Sequence, residues 1–99
     1  MTTIWKYELS LNSITELEIP ALYVDNTKKT IYKASKQALH FGLQNETPTI
    51  WVMVNPEAPR HKLTIRLVGT GQACPSDGYI GTVVMFDGSL VLHAFMEEY

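Results

Sequence analysis

The chain has 99 residues, of which 45% are apolar and 18% charged, and a net charge of −2 at neutral pH. This is the make-up of one globular domain spanning residues 1–99: too short for two independent cores and too apolar for a disordered chain. No apolar run reaches the roughly 18 residues of a membrane-spanning helix, and the negative balance disfavours whole-molecule attraction to nucleic acid or anionic lipid.

Taken in chain order, the predicted elements follow a period of two, the period of strands. Met1-Thr2-Thr3-Ile4-Trp5-Lys6 lacks the basic-then-apolar order of a secretory leader. Trp5, Tyr7, Leu9 and Leu11 alternate with Lys6, Glu8 and Ser10, which predicts a half-buried strand. Asn12-Ser13 carries turn chemistry, and Leu17 and Ile19 alternate with Glu16 and Glu18 up to Pro20. The two runs are expected to pair as an N-terminal hairpin. Residues 21–37 fit a helix started by Thr30 or a second hairpin equally well.

Leu39, Phe41 and Leu43 restore the alternation, Asn45-Glu46 turns the chain, and Ile50-Trp51-Val52-Met53-Val54 is apolar at both parities. Such a run suits a central strand covered on both faces, or one whose second face meets a partner. Pro56 and Pro59 end it, because neither has an N–H for the ladder. Leu63, Ile65 and Leu67 alternate with Lys62, Thr64 and Arg66, and Gly69-Thr70-Gly71 closes that strand. Asp87-Gly88 between residues 79–86 and 89–96 predicts a hairpin on a turn with positive φ at both central positions. About seven strands with short connections make an all-β antiparallel sandwich or small barrel, with at most one short helix.

Candidate chemistry is sparse. His40, His61 and His93 lie on separate segments without zinc-ligand spacing, and no nucleophile–base or paired-carboxylate set can be placed, so no catalytic or metal-ligating residue and no cofactor is expected. His93 shares strand parity with Val91 and Phe95, and a histidine among apolar neighbours calls for a specific hydrogen-bond partner. Cys74, the single cysteine, sits in a loop with Asp77 and fits a reducing compartment. Gly69, Thr70, Gly71 and Gln72, with Arg66 nearby, could cradle an anion, although no helix is expected to follow the loop.

Two features point to binding. Ile50, Val52 and Val54 claim one face of their strand, which leaves Trp51 and Met53 as an interface signature on the other and suggests a homodimer. Lys28, Lys29, Lys33 and Lys36 stand in residues 26–37 without an acid among them, so the other 87 residues carry −6. They suit an acidic protein surface better than a nucleic acid, since no arginine accompanies them.

Ile4-Trp5-Lys6-Tyr7, Ile19-Pro20, the stretch Ile50–Pro59, Gly69-Thr70-Gly71, Tyr79-Ile80-Gly81-Thr82 and Asp87–Phe95 fall in the order of motifs of a known family. The chain resembles short bacteriophage-encoded proteins that share a domain of unknown function. Asn55 replaces the aspartate such proteins carry before the proline, and residues from about 22 to 37 look inserted. The resemblance implies phage origin and the host cytoplasm, and it brings no activity. The expected function is therefore a non-catalytic phage accessory module that binds a host or phage protein, as a stoichiometric inhibitor or adaptor. The alternative is a protein that sequesters a phosphorylated nucleotide at the Gly69-Thr70-Gly71 loop.

Overall fold

The computed structural model describes residues 1–11, 14–22 and 34–98. Within them seven strands form two antiparallel sheets. The first sheet holds β1 (Thr3–Glu8), β4 (Thr47–Val54) and β3 (Ala38–Gln44), in that spatial order. The second holds β2 (Ile14–Pro20), β5 (Arg60–Gly69), β7 (Leu90–Glu98) and β6 (Tyr79–Met85). The principal extents are 48 × 28 × 17 Å. The shortest matches two sheets about 10 Å apart with side chains outside them. The expected all-β sandwich is the observed one.

Alternation decides which side chains enter the core. Leu63, Ile65 and Leu67 of β5 are buried, as are Leu92, Ala94 and Met96 of β7 and Val83 and Met85 of β6. Ile50, Val52 and Val54 of β4 face them from the other sheet, joined by Phe41 and, partly buried, by Trp5 and Tyr7. Burial pushes the Tyr7 phenol above its ordinary pKa, and the Arg60 guanidinium pulls it part of the way back.

The turns read as their sequences require. Asn45 and Glu46, φ 50° and 64°, join β3 to β4 in a two-residue loop. Asp87 and Gly88 also take positive φ, 54° and 92°, and the Ser89 amide closes the turn on the Phe86 carbonyl at 3.1 Å. Where the sheets meet along β3 and β6, Gly81 leaves room for Phe41, whose Cβ lies 3.1 Å from where a Gly81 Cβ would stand.

Two expectations fail. β1 and β2 do not form a hairpin: β1 pairs with β4 and β2 with β5, in different sheets. The chain crosses between the sheets after the buried Leu9, and the Ser10 amide donates to Thr15 Oγ1 at 2.9 Å. The alternation was real in both strands, but it names a face and not a neighbour. Nor does β3 bury all three of its alternating apolar residues. A bulge between Ala38 and His40 breaks the register and leaves Leu39 exposed, whereas Leu43 keeps the parity of the buried Phe41 and is exposed toward the end of the strand. Residues 23–33, where helix and hairpin competed, lie outside the described residues; residues 34–37 form a short 3-10 turn.

That turn supplies the tie between the sheets. Gln37 is 1% exposed, and its Nε2 donates to the carbonyls of Pro20 (3.0 Å) and Met53 (2.9 Å), one from each sheet. Its Oε1 lies 3.0 Å from His61 Nε2. Gln37→Leu would strand the buried Pro20 carbonyl, the partly buried Met53 carbonyl and an imidazole N–H. We expect a loss on the order of 2–4 kcal/mol, since each unpaired buried group costs about 1–3 kcal/mol. Thermal unfolding should show this as a Tm drop of roughly 10–25 °C. Gln37→Glu should be at least as costly at neutral pH, because a carboxylate would meet two carbonyl oxygens. A Tm unchanged in both variants would contradict the tie.

Candidate functional site

The outer face of the three-stranded sheet carries the surface that the sequence singles out. Trp51 and Met53 lie there, half-buried, on the central strand β4. Lys6 of β1 and His40 of β3 flank Trp51 in register, and Ile4 stands opposite Met53. The His40 ring sits against Trp51 with centroids 5.4 Å apart and planes tilted by 41°. Gly42 makes this possible, since a side chain there would run into the His40 imidazole. Lys6 Nζ donates to Gln44 Oε1 at 2.5 Å, a bond that spans the central strand from β1 to β3. In register terms its diagonal crosses the row of Thr49, which is fully buried although it belongs to the outer parity.

One half of this face is thus roofed by its own side chains and the other is not. On the open half Ile4 is 55% exposed and Leu39, the extra residue of the β3 bulge, is 47% exposed. Around Trp51 and Met53 they make an apolar patch edged by Lys6 and His40, the composition of an interface centre rather than of ordinary surface. Alternation alone placed Leu39 in the core; only the bulge turns it outward.

The outer face of the four-stranded sheet differs. Val68, at 4% exposure, and Phe95, at 9%, are buried on its outer parity, with Tyr79 edge-on to Phe95 at 5.6 Å. Polar bonds tie the rest together. Arg66 Nε donates to Glu97 Oε1 at 2.9 Å, between half-exposed partners that contribute little to stability. His93 finds a partner at each ring nitrogen: Thr82 Oγ1 at 2.9 Å from Nδ1 and Thr70 Oγ1 at 2.8 Å from Nε2. Tyr79 and Thr82 hydroxyls continue the chain at 2.6 Å.

The Gly69-Thr70-Gly71 loop follows β5, with its donors engaged locally. The Gly69 amide donates to Gln72 Oε1 at 2.8 Å, and the Gln72 amide to the Gly69 carbonyl at 3.1 Å. Thr70 is held by His93, and Arg66 by Glu97. Cys74 is an exposed free thiol. The three histidines occupy one outer face, the other outer face and the Gln37 tie, and no group of three metal-ligating side chains converges among the described residues. Of the lysine cluster, Lys36 is exposed at the 3-10 turn, and Lys28, Lys29 and Lys33 lie outside the described residues. Sequence reasoning missed Phe86, an exposed aromatic at the β6–β7 tip with φ 51°, because the strand pattern runs through it.

The stack of His40 on Trp51 generates a direct check. In a Trp5→Phe background, which leaves Trp51 as the sole tryptophan, His40→Ala should make its fluorescence more readily quenched by acrylamide. Tm should move by only a few degrees, because His40 is exposed and no core contact is lost. Unchanged quenching would show that His40 does not shield the indole.

No curated protein and no solved structure matches the chain. A family model for a domain of unknown function, DUF7352, matches residues 1–99 from end to end. The chain is a member of that family.

Proposed function

We propose that the protein is a non-catalytic binding module whose partner protein docks on the open half of the β1-β4-β3 face. The observation that carries the reading is the patch of Ile4, Leu39, Trp51 and Met53 on the three-stranded sheet. Aromatic and methionine side chains at the centre of a surface, with charge kept to its edge, are the pattern of residues that supply binding energy. Lys6 beside the patch, and the four lysines of residues 26–37 that precede β3, favour a partner with an apolar centre and an acidic rim. The motif resemblance supports a phage accessory protein working in the host cytoplasm, where a stoichiometric inhibitor or adaptor needs a docking face and no catalytic machinery. The nucleotide alternative draws less support, since the Gly69 amide, Thr70 hydroxyl and Arg66 guanidinium already have partners.

Ile4→Ser with Leu39→Glu tests the reading, because both side chains are exposed and the double variant should fold with nearly the wild-type Tm. From lysate of infected bacteria the wild-type chain should retain a protein at fixed stoichiometry, and the double variant should lose it. Full retention by the double variant would overturn the assignment of this face. ATP or GTP at millimolar concentration should leave Tm unmoved; a rise that grows with nucleotide concentration would favour the nucleotide reading instead.

A further inference from the structure

We infer that two copies of this chain join edge to edge through antiparallel pairing of β1 with β1, in one register set by Lys6 and Glu8. Four strands stand at sheet edges: β1 and β3 in one sheet, β2 and β6 in the other. Three of them carry devices that discourage further pairing. The registers of β3 and β6 are interrupted, at Ala38/His40 and at Tyr79/Gly81. β2 ends in Pro20 and bears Glu16 and Glu18 with no cation, so two copies of it would set acid against acid. β1 is unbroken from Thr3 to Glu8, with neither Pro nor Gly, and among the described residues no strand pairs with its outer side.

The ladder fixes which groups that outer side presents. The Leu9 amide donates to the Pro48 carbonyl at 2.8 Å, in line with the β1–β4 register that runs from Thr3↔Val54 to Glu8↔Thr49. Hydrogen-bonding direction alternates along an antiparallel strand, so Trp5 and Tyr7 share the direction of Leu9 toward β4. Ile4, Lys6 and Glu8 therefore turn their N–H and C=O groups to the open side. An added antiparallel β1 must bond through the same three residues, which restricts the registers to alternate steps.

Five registers bond through these residues, centred on positions 4 to 8 in turn; those on Ile4 and Trp5 oppose no two charges directly, and three do. One sets Lys6 against Lys6 of the second copy, and another sets Glu8 against Glu8. The register between them sets Lys6 against Glu8 and Glu8 against Lys6, two opposite-charge pairs related by a two-fold axis. It is thus flanked on both sides by like-charge oppositions, so the edge selects for itself and against its own slips. In the single chain the Lys6 ammonium lies across β4 on Gln44, and it would give up that bond to reach Glu8 of the second copy. In that register the two Tyr7 side chains face each other on the inner side as a non-hydrogen-bonded pair, the closer of the two kinds. The product is one six-stranded sheet, β3-β4-β1 followed by β1-β4-β3 of the second copy, whose outer face carries both apolar patches side by side. The homodimer expected from Trp51 is thereby moved from the face of β4 to the edge of β1. The pairing shares Lys6 with the edge of the docking face, but its test reads self-association and not capture of a partner.

Charge exchange tests it, at positions exposed enough to leave the fold intact. Sedimentation at ~100 µM in low salt should show the wild-type chain as a dimer, within the range of a modest strand–strand interface. Lys6→Glu alone and Glu8→Lys alone should each weaken it about tenfold or more, because both cross-strand pairs become repulsive. Mixing the two single variants should produce a heterodimer, and combining both changes in one chain should restore the homodimer. A wild-type monomer under these conditions would overturn the inference. So would a dimer indifferent to the single exchanges, or single variants that stay apart when mixed.

Discussion

One carboxamide, that of Gln37, sets how the two sheets of this protein meet. Its two N–H groups reach a carbonyl of β2 and a carbonyl of β4, which belong to different sheets. Carbonyls only accept, so the orientation of the amide is settled by its surroundings. The oxygen is then left to accept from the Nε2–H of His61, which places a proton on that ring nitrogen. Around it the Asn55 amide bonds the Ala21 carbonyl at 3.0 Å and the Ala21 amide bonds the Pro59 carbonyl at 2.9 Å, so backbone from both sheets is laced at this end. Such a tie adds direction to the hydrophobic contact between the faces, which is strong but non-directional.

Fixing the sheets this way leaves their outer faces to be decided by side chains alone, and the two faces are resolved differently. On the four-stranded sheet, the chain of hydroxyls through His93, the Arg66–Glu97 pair and the Tyr79–Phe95 contact turn the outer side chains toward one another. On the three-stranded sheet, Lys6, Gln44 and His40 cover the rows around Thr49 and leave Met53 and Ile4 bare. The chain therefore keeps one outer face for its own packing and offers part of the other. The strand edge at β1 borders the offered part: edge pairing uses backbone and charge, face docking uses apolar side chains, and Lys6 stands between the two.

The fold class was legible because period two is a property of the chain itself. β5 buries Leu63, Ile65 and Leu67, the residues its alternation nominates, and the doubly apolar run of β4 is the central strand of its sheet. The Asn45-Glu46 and Asp87-Gly88 turns were legible from local conformational preference. Pairing partners were not: nothing in Trp5–Glu8 says that its neighbour is β4 rather than β2, since either offers a complementary apolar face. The β3 bulge was hidden for a related reason, as one inserted residue changes the parity of everything before it while leaving a plausible pattern. Gln37 was invisible, because a buried amide has no periodicity and its partners are far off in sequence. Of the patch, Trp51 and Met53 could be read from the parity of their strand, whereas the exposure of Leu39 required the bulge.

The central claim is that the Gln37 amide holds the β2–β5 end of one sheet to β4 of the other, and native-state hydrogen exchange tests it most directly. The amides of Ala21 and Asn55 lie beside the tie, and the Met96 amide, bonded to the Gly78 carbonyl at 2.8 Å, serves as a reference outside it. In the wild-type chain all three should exchange by the same cooperative opening. In Gln37→Leu the Ala21 and Asn55 amides should exchange through a separate, lower-energy opening, while Met96 keeps to the global unfolding of the variant. If all three amides in the variant still exchange together, tracking only its lower overall stability, Gln37 contributes packing like any core residue and the account is contradicted.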